Sequence, residues 1–270
     1  MTVRKQELQS SSVRSLAEFV RRVRQVLKDW TRQQSDSTGW FRGQPEDKTL
    51  LPRLYRGNRC DEFEVFTDFK RYGTQLAERL PADDWDWYFL MQHYGAPTRL
   101  LDWTDSALVA LYFAVRLDPF GKTKPKAPVV WVLEPGRLNK AVINDDVILL
   151  KDTPEAERYL EGLLRQGTRL PKYPVAIDPP HVDRRLALQR SHFTLHGKIR
   201  DGLECFAKDR RRRLRLKSLM DQESWLVKLL VDPKSTTNIR EELRVCGFAE
   251  TTVFADLDAL GRELEQEWRE

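Results

Sequence analysis

The chain has 270 residues, 40% hydrophobic and 32% charged, with 46 Lys and Arg against 41 Asp and Glu and a net charge of +5. That balance excludes a disordered or collagen-like chain and is enough for a substantial core. No apolar run approaches the roughly 20 residues of a membrane span, the N-terminus lacks the apolar core of an export signal, and Cys60, Cys205 and Cys246 form no CxxC pair. A cytoplasmic protein with reduced thiols is expected, with no membrane contact, disulfide scaffold or metal.

Ser15 to Trp30 carries Leu16, Phe19, Val20, Val23, Val26, Leu27 and Trp30 at helical steps, with Ser15 and Glu18 as a capping box. "GWFRGQP", Gly39 to Pro45, predicts a short strand in which Arg42 is a permanent cation among apolar neighbours. "LLPRLYRG" follows as a loop. A helix is expected from about Cys60 to Arg79, with Phe63, Phe66, Phe69 and Leu76 inward. "DDWDWYFLMQHYG" predicts the next helix, opened by Asp83 or Asp84 and closed by Gly95. Pro97 keeps the following loop from continuing as helix, and Thr104 or Asp105 caps a new helix over "ALVALYFAV".

"PVVWVLEP" is a continuous apolar run typical of a buried strand. Further strands are expected at "YPVAI", "SHFTLHG" and "SWLVKLLVD". Helices are expected over Pro154 to Arg165, Val182 to Gln189, Thr236 to Cys246 and Phe254 to Trp268. With no internal repeat and no long linker, this pattern predicts one α+β domain of small mixed or antiparallel sheets with surrounding helices.

Chemistry-bearing residues are densest between Met91 and Ala114, where His93, Tyr94, Thr98, Arg99, Asp102, Trp103, Thr104 and Asp105 lie between two helix ends. A helix beginning near Thr104 would offer free N–H groups to an anion. Two structural alternatives stand beside this: Asp102 as an ion-pair partner of Arg99 or Arg42, and His93 as a capping cation. Arg185 and Gln189 would share a helical face just before the strand bearing His192 and His196, two histidines that do not make a metal site alone. The run "KDRRRRLRLK" supplies Lys208, Arg210, Arg211, Arg212, Arg213, Arg215 and Lys217. It reads either as a solvated basic loop or as a contact for RNA or DNA phosphates, with Trp85 or Trp87 exposed to stack bases. No Walker loop, GxGxxG, GxSxG or HExxH motif is present.

"WFRGQ", "QHYGAPTRLLDWTDSALVALYFA", "RLALQRSHFTLHG", "LVKLLVD" and "TTVFADLDALGREL" together resemble the FRG domain, named for its Phe-Arg-Gly motif. The resemblance covers about residues 12–264 and leaves 1–11 as a tail. It implies a protein of bacteria or phages, of a kind often found among mobile or defence-associated genes, and it names no reaction.

A more distant resemblance is to toxin-type ADP-ribosyltransferases. There an Arg-Gly strand, a Ser/Thr motif leading into an Ala-x-x-Phe-Ala helix, a hydrophobic strand and a Glu-bearing strand follow in order. Arg42-Gly43, Thr104 with "ALVALYFAV", and "VVWVLEP" match the first three, while Gln189 or Ser191 stands where the acid would be. This resemblance implies an ADP-ribosyltransferase-like core and a nucleotide-handling effector of defence or toxin type using NAD. Arg42 would clamp a phosphate beside Gly43 and Gln44, with Arg99 and Thr104 near the ligand. His93 or Tyr94 would hold the ribose or base, Asp102 would orient Arg99 or polarise a hydroxyl, and Gln189 would stand opposite. The alternatives are a nucleic-acid-binding module and a sensing or interaction domain in which Arg42 and Asp102 form a structural ion pair.

Overall fold

The structure is a computed structural model that describes residues 12–31, 39–57, 61–77, 79–117, 123–164, 169–179, 190–208, 225–254 and 256–268. The expected helix over Val182 to Gln189, and with it Arg185 and Gln189, lies outside these residues. So do Cys60 and the basic residues Arg210, Arg211, Arg212, Arg213, Arg215 and Lys217. Lys208 ends a short helix whose last side chains are not described.

Among the described residues, six strands form one antiparallel sheet: β1 (Trp40–Gln44), β2 (Leu100–Thr104), β3 (Val129–Leu133), β4 (Val175–Ile177), β5 (Ser191–Leu195) and β6 (Leu226–Leu230), in the order β4-β5-β2-β1-β3-β6. The α+β class therefore holds, with a single sheet in place of several small ones. β2 is a central strand, whereas the sequence reads its residues as loop. Its ladder to β5 runs through five pairs and that of β1 to β3 through another five, yet β1 and β2 meet at the single pair Phe41↔Thr104. The sheet is thus two three-stranded halves hinged at one pair, and β1 and β2 part towards Gln44 and Leu100.

Alternation of side chains sorts the core. On one face, Phe41, Val130, Val132, Val227 and Leu229 pack under α1 (Leu16–Thr31) and α4 (Ala107–Val115). On the same face of the other half, Leu100, Phe193, Val175 and Ile177 pack under α2 (Glu62–Leu76), α3 (Asp84–His93) and α6 (Pro154–Leu164). Trp40, Leu101, Trp103, Trp131 and Leu133 fill the opposite face against α5 (Pro135–Ile143) and α7 (Leu203–Lys208). α5 is absent from the sequence reading, although Pro135 at its first turn and Glu134 as its cap, accepting from Arg137 N at 2.6 Å, are standard start signals.

The capping chemistry explains most boundaries. Ser15 Oγ accepts from Glu18 N (3.2 Å) at the start of α1, and Asp83 from Asp86 N (2.9 Å) at the start of α3. Gly95, at φ 74°, turns the chain after α3 in a left-handed conformation that glycine adopts without strain. α4 is capped by Ser106, not by Thr104 or Asp105. Thr104 is already the last residue of β2, and Ser106 Oγ accepts from Val109 N at 3.4 Å.

Two further expectations fail for packing reasons. Trp85 and Trp87 are buried, because α3 is apolar on most sides and is covered by both α2 and the sheet. In α2 only Phe66 is fully buried, while Phe63 is 42% and Leu76 83% exposed. The expected C-terminal helix is α10 (Leu257–Glu267), preceded by α8 (Thr236–Val245) and by a short helix, α9 (Glu250–Phe254), that the sequence does not announce.

Candidate binding cavity

Where β1 and β2 part, a cavity of about 810 Å³ opens, lined by both strands, the start of α4, the end of α3 and the turn Arg53–Gly57. Three arginines line it (Arg42, Arg53 and Arg56), together with Gln92, His93 and one carboxylate among the described lining residues, Asp102. Phe41, Phe113, Phe193 and Phe254 make its apolar walls.

Arg42 extends from β1 across the opening. Its Nη1 donates to the main-chain carbonyl of Asp102 at 2.6 Å and stands 3.5 Å from the Asp102 carboxylate. Its Nε is buried and has no hydrogen-bond partner among the described residues. Burial pulls the guanidinium below its ordinary pKa, Asp102 opposes this, and neighbouring Arg56 adds to it. Arg56 is likewise lowered by burial and supported by Asp102. The cavity is therefore a place where positive charge has been gathered beyond what its own acid balances.

The two arginines that the sequence reading passes over, Arg53 and Arg56, arrive on a single 3-10 turn, Arg53–Tyr55. Leu54 N bonds to Thr98 O (3.3 Å) and Arg53 Nη1 to Gly95 O (2.5 Å), which folds this turn against the loop after α3. Their spacing in "LLPRLYRG" is the only sequence signal for them. Gln92 is the other omission. Its amide accepts from Thr98 Oγ1 (2.5 Å) and donates to Asp102 Oδ1 (2.8 Å).

Several expected site residues have other work. Arg99 is 1% exposed and outside the cavity. Its Nε bonds to Glu62 (2.6 Å), Nη1 to His196 O (3.2 Å) and Nη2 to Tyr159 O (2.9 Å), so it ties α2 and α6 to the sheet. Burial alone would lower its pKa, but Tyr88, Glu62 and Tyr55 outweigh that and hold it above its ordinary value. Asp102 therefore does not orient Arg99; Glu62 does. Burial pushes the Tyr88 hydroxyl well up, and the Glu62 carboxylate that accepts its hydrogen bond adds to this.

Gly43 lines the cavity, but what approaches its backbone closely is α4: a Cβ there would lie 1.7 Å from Ala110 O. Gln44 is buried beyond the lining, its Oε1 without a partner among the described residues. Tyr94 is 72% exposed at the end of α3, its ring meeting His93 edge-on at 4.9 Å, and does not line the cavity. Thr104 does line it, buried at the hinge pair, with Oγ1 accepting from Ser106 N (3.1 Å).

Beneath the site, Trp103 Nε1 donates to Thr194 Oγ1 (3.1 Å), which lies 3.3 Å from His196 Nε2. Burial, then the positive charges of Arg42, Arg99 and Arg56, push His196 down to about 3. His192 stacks on Trp40 (4.5 Å) and bonds to Asp178 through Nδ1 (2.6 Å), so the two histidines serve separate contacts.

Phe254 reaches the cavity from the far end of the chain. Glu250, buried on the same short helix, accepts from Tyr112 OH, Arg116 (3.2 Å) and Arg262 (2.9 Å), fixing α9 against α4.

The fold is thus an α+β scaffold with a split antiparallel sheet and an arginine-lined cavity at the split. This chain carries an FRG domain: the model of that family matches residues 37–119. The matched stretch supplies Arg42, Arg53, Arg56, Gln92, His93 and Asp102, while Ser191, Phe193 and Phe254 close the cavity from outside it. No curated protein and no solved structure matches the chain. No helix among the described residues is long and apolar enough to cross a membrane.

Proposed function

We propose that the cavity binds a phosphorylated, nucleotide-type ligand, NAD or ADP-ribose among the candidates, as the nucleotide-handling unit of an ADP-ribosyltransferase-like effector. One observation carries the reading: Arg42, Arg53 and Arg56 line one cavity of about 810 Å³ against one carboxylate among its described lining residues. Arginine forks match phosphate oxygens, and three of them suit a diphosphate. A volume of this size falls within the roughly 300–1,000 Å³ of ordinary ligand clefts. The buried Arg42 Nε adds a donor that no described residue of the protein satisfies. The Arg42–Asp102 contact favours a second reading, a non-catalytic sensing or interaction domain in which the pair is structural.

Calorimetric titration with NAD, ADP-ribose and pyrophosphate separates the two. The first reading expects binding that weakens at high salt and is lost in Arg42→Ala and in Arg56→Ala. If wild type binds none of the three, while Arg42→Ala lowers the melting temperature, the structural reading stands and the nucleotide reading falls.

A further inference from the structure

The cavity's carboxylate is held in a way that the arginines do not require. Asp102 interrupts the buried pattern of β2, its side chain 55% exposed into the opening. One oxygen, Oδ1, is fixed by Gln92 Nε2 at 2.8 Å. The Gln92 amide is itself oriented, because its Oε1 accepts from Thr98 Oγ1, and Thr98 is fully buried and further anchored by Leu100 N at 3.2 Å. Among the described residues, the other oxygen, Oδ2, has only the looser 3.5 Å approach of Arg42. A carboxylate offers about four acceptor sites, so the oxygen on the Arg42 side keeps most of its capacity.

A carboxylate beside three arginines is a poor feature for holding phosphate alone, since it repels the anion. It becomes useful when the ligand carries a hydroxyl close to its phosphate. Resting on the nucleotide reading above, we infer that Asp102 is the hydroxyl acceptor of the site, that Thr98 and Gln92 are its positioning residues, and that the ligand class is a ribose-bearing phosphate rather than a simple polyphosphate. The arginines take the phosphate, and Asp102 Oδ2 accepts from the sugar diol. A hydrogen bond to a charged acceptor in such a site discriminates by about tenfold to hundredfold.

The test compares ADP with 2′,3′-dideoxy-ADP, which has the same charge and base and lacks the diol, with pyrophosphate as a bare-anion probe. Wild type is expected to prefer ADP by that factor. Asp102→Ala, a change at a half-exposed side chain, is expected to bring the ratio to about one while keeping affinity for the dideoxy ligand. Gln92→Leu is expected to shrink the preference, because it frees the carboxylate to rotate without removing it. Equal binding of the two ligands by wild type, or a preference that survives Asp102→Ala, overturns the inference and leaves the anion-binding reading standing. A full preference in Gln92→Leu overturns the positioning role. Failure of wild type to bind ADP or pyrophosphate at all sinks the nucleotide reading itself, and this inference with it.

Discussion

Replacing Gly43 with alanine separates a packing role from a ligand role at the most suggestive glycine of the chain. The added Cβ would lie 1.7 Å from the Ala110 carbonyl oxygen and 2.8 Å from Ala114 N, both backbone atoms of α4. Ordinary contact begins near 3.4 Å. Helix or strand would therefore have to shift by more than an ångström, and no flexible side chain can yield instead. Overpacking of this kind costs typically about 1–3 kcal/mol, and a clash with backbone belongs at the upper end or beyond. At about 2–4 °C per kcal/mol for a domain approaching this size, the melting temperature should fall by roughly 6–12 °C. Calorimetric melting of Gly43→Ala against Gly261→Ala is the assay. Gly261 sits within α10 with nothing within 4 Å of a built Cβ, so alanine there should stabilise by about 0.5–1 kcal/mol through helix propensity. An unchanged melting temperature for Gly43→Ala, accompanied by lost ligand binding, would refute the packing argument and return Gly43 to the ligand.

Three other outcomes follow from the same contacts. Glu62→Gln should destabilise by about 3–5 kcal/mol in urea melts by leaving Arg99 charged and uncompensated in the interior, and an unchanged midpoint would refute that role. His196, at about 3 in the fold and 6.5 when free, takes up its proton only on unfolding between those values. Stability should therefore rise with pH from about 3 to 6.5, with a slope approaching about 1.4 kcal/mol per unit from this group. His196→Gln should flatten that segment of the pH–stability profile, and an identical profile would count against a neutral buried imidazole. Ser106→Ala should cost about 1 kcal/mol by uncapping α4, measured as a lower urea midpoint, while Thr104→Val should leave the cap intact.

Local signals in the sequence carry much of the fold. Amphipathic spacing gives α1, the acids before Trp85 give the start of α3, and the apolar run gives β3. β2 is hidden because its five residues contain an aspartate and follow a proline, which together resemble a loop. Asp102 is tolerated in a central strand only because the sheet opens beside it, and that opening is a property of pairing between distant segments. Arg99 shows the same limit from the other side. It lies in the stretch densest in chemical groups, and nothing local reveals that Glu62, 37 residues earlier, will hold it in the core. The cavity residues Arg42, His93, Asp102 and Thr104 were legible as a set. Arg53, Arg56 and Phe254 were not, since they join it through a folded-back turn and through the Glu250 cluster at the far end of the chain.

The position of Arg42 has a reason in the sheet itself. A strand that parts from its neighbour leaves main-chain groups without ladder partners, and a carbonyl so exposed must find some other donor. Arg42 meets this demand by reaching back to the Asp102 carbonyl, so one Nη1 hydrogen bond stands where a cross-strand pair would otherwise be. A guanidinium has five N–H donors, and this contact uses one of them while Nε has no partner among the described residues. A lysine could cap the carbonyl but would offer no planar fork to an incoming phosphate. The structural contact and the site are thus compatible: the arginine that closes the backbone at the split is also the one that brings charge into it. The Arg-Gly step then has two separable parts, with Arg42 spanning the opening and Gly43 letting α4 lie close enough to form its wall.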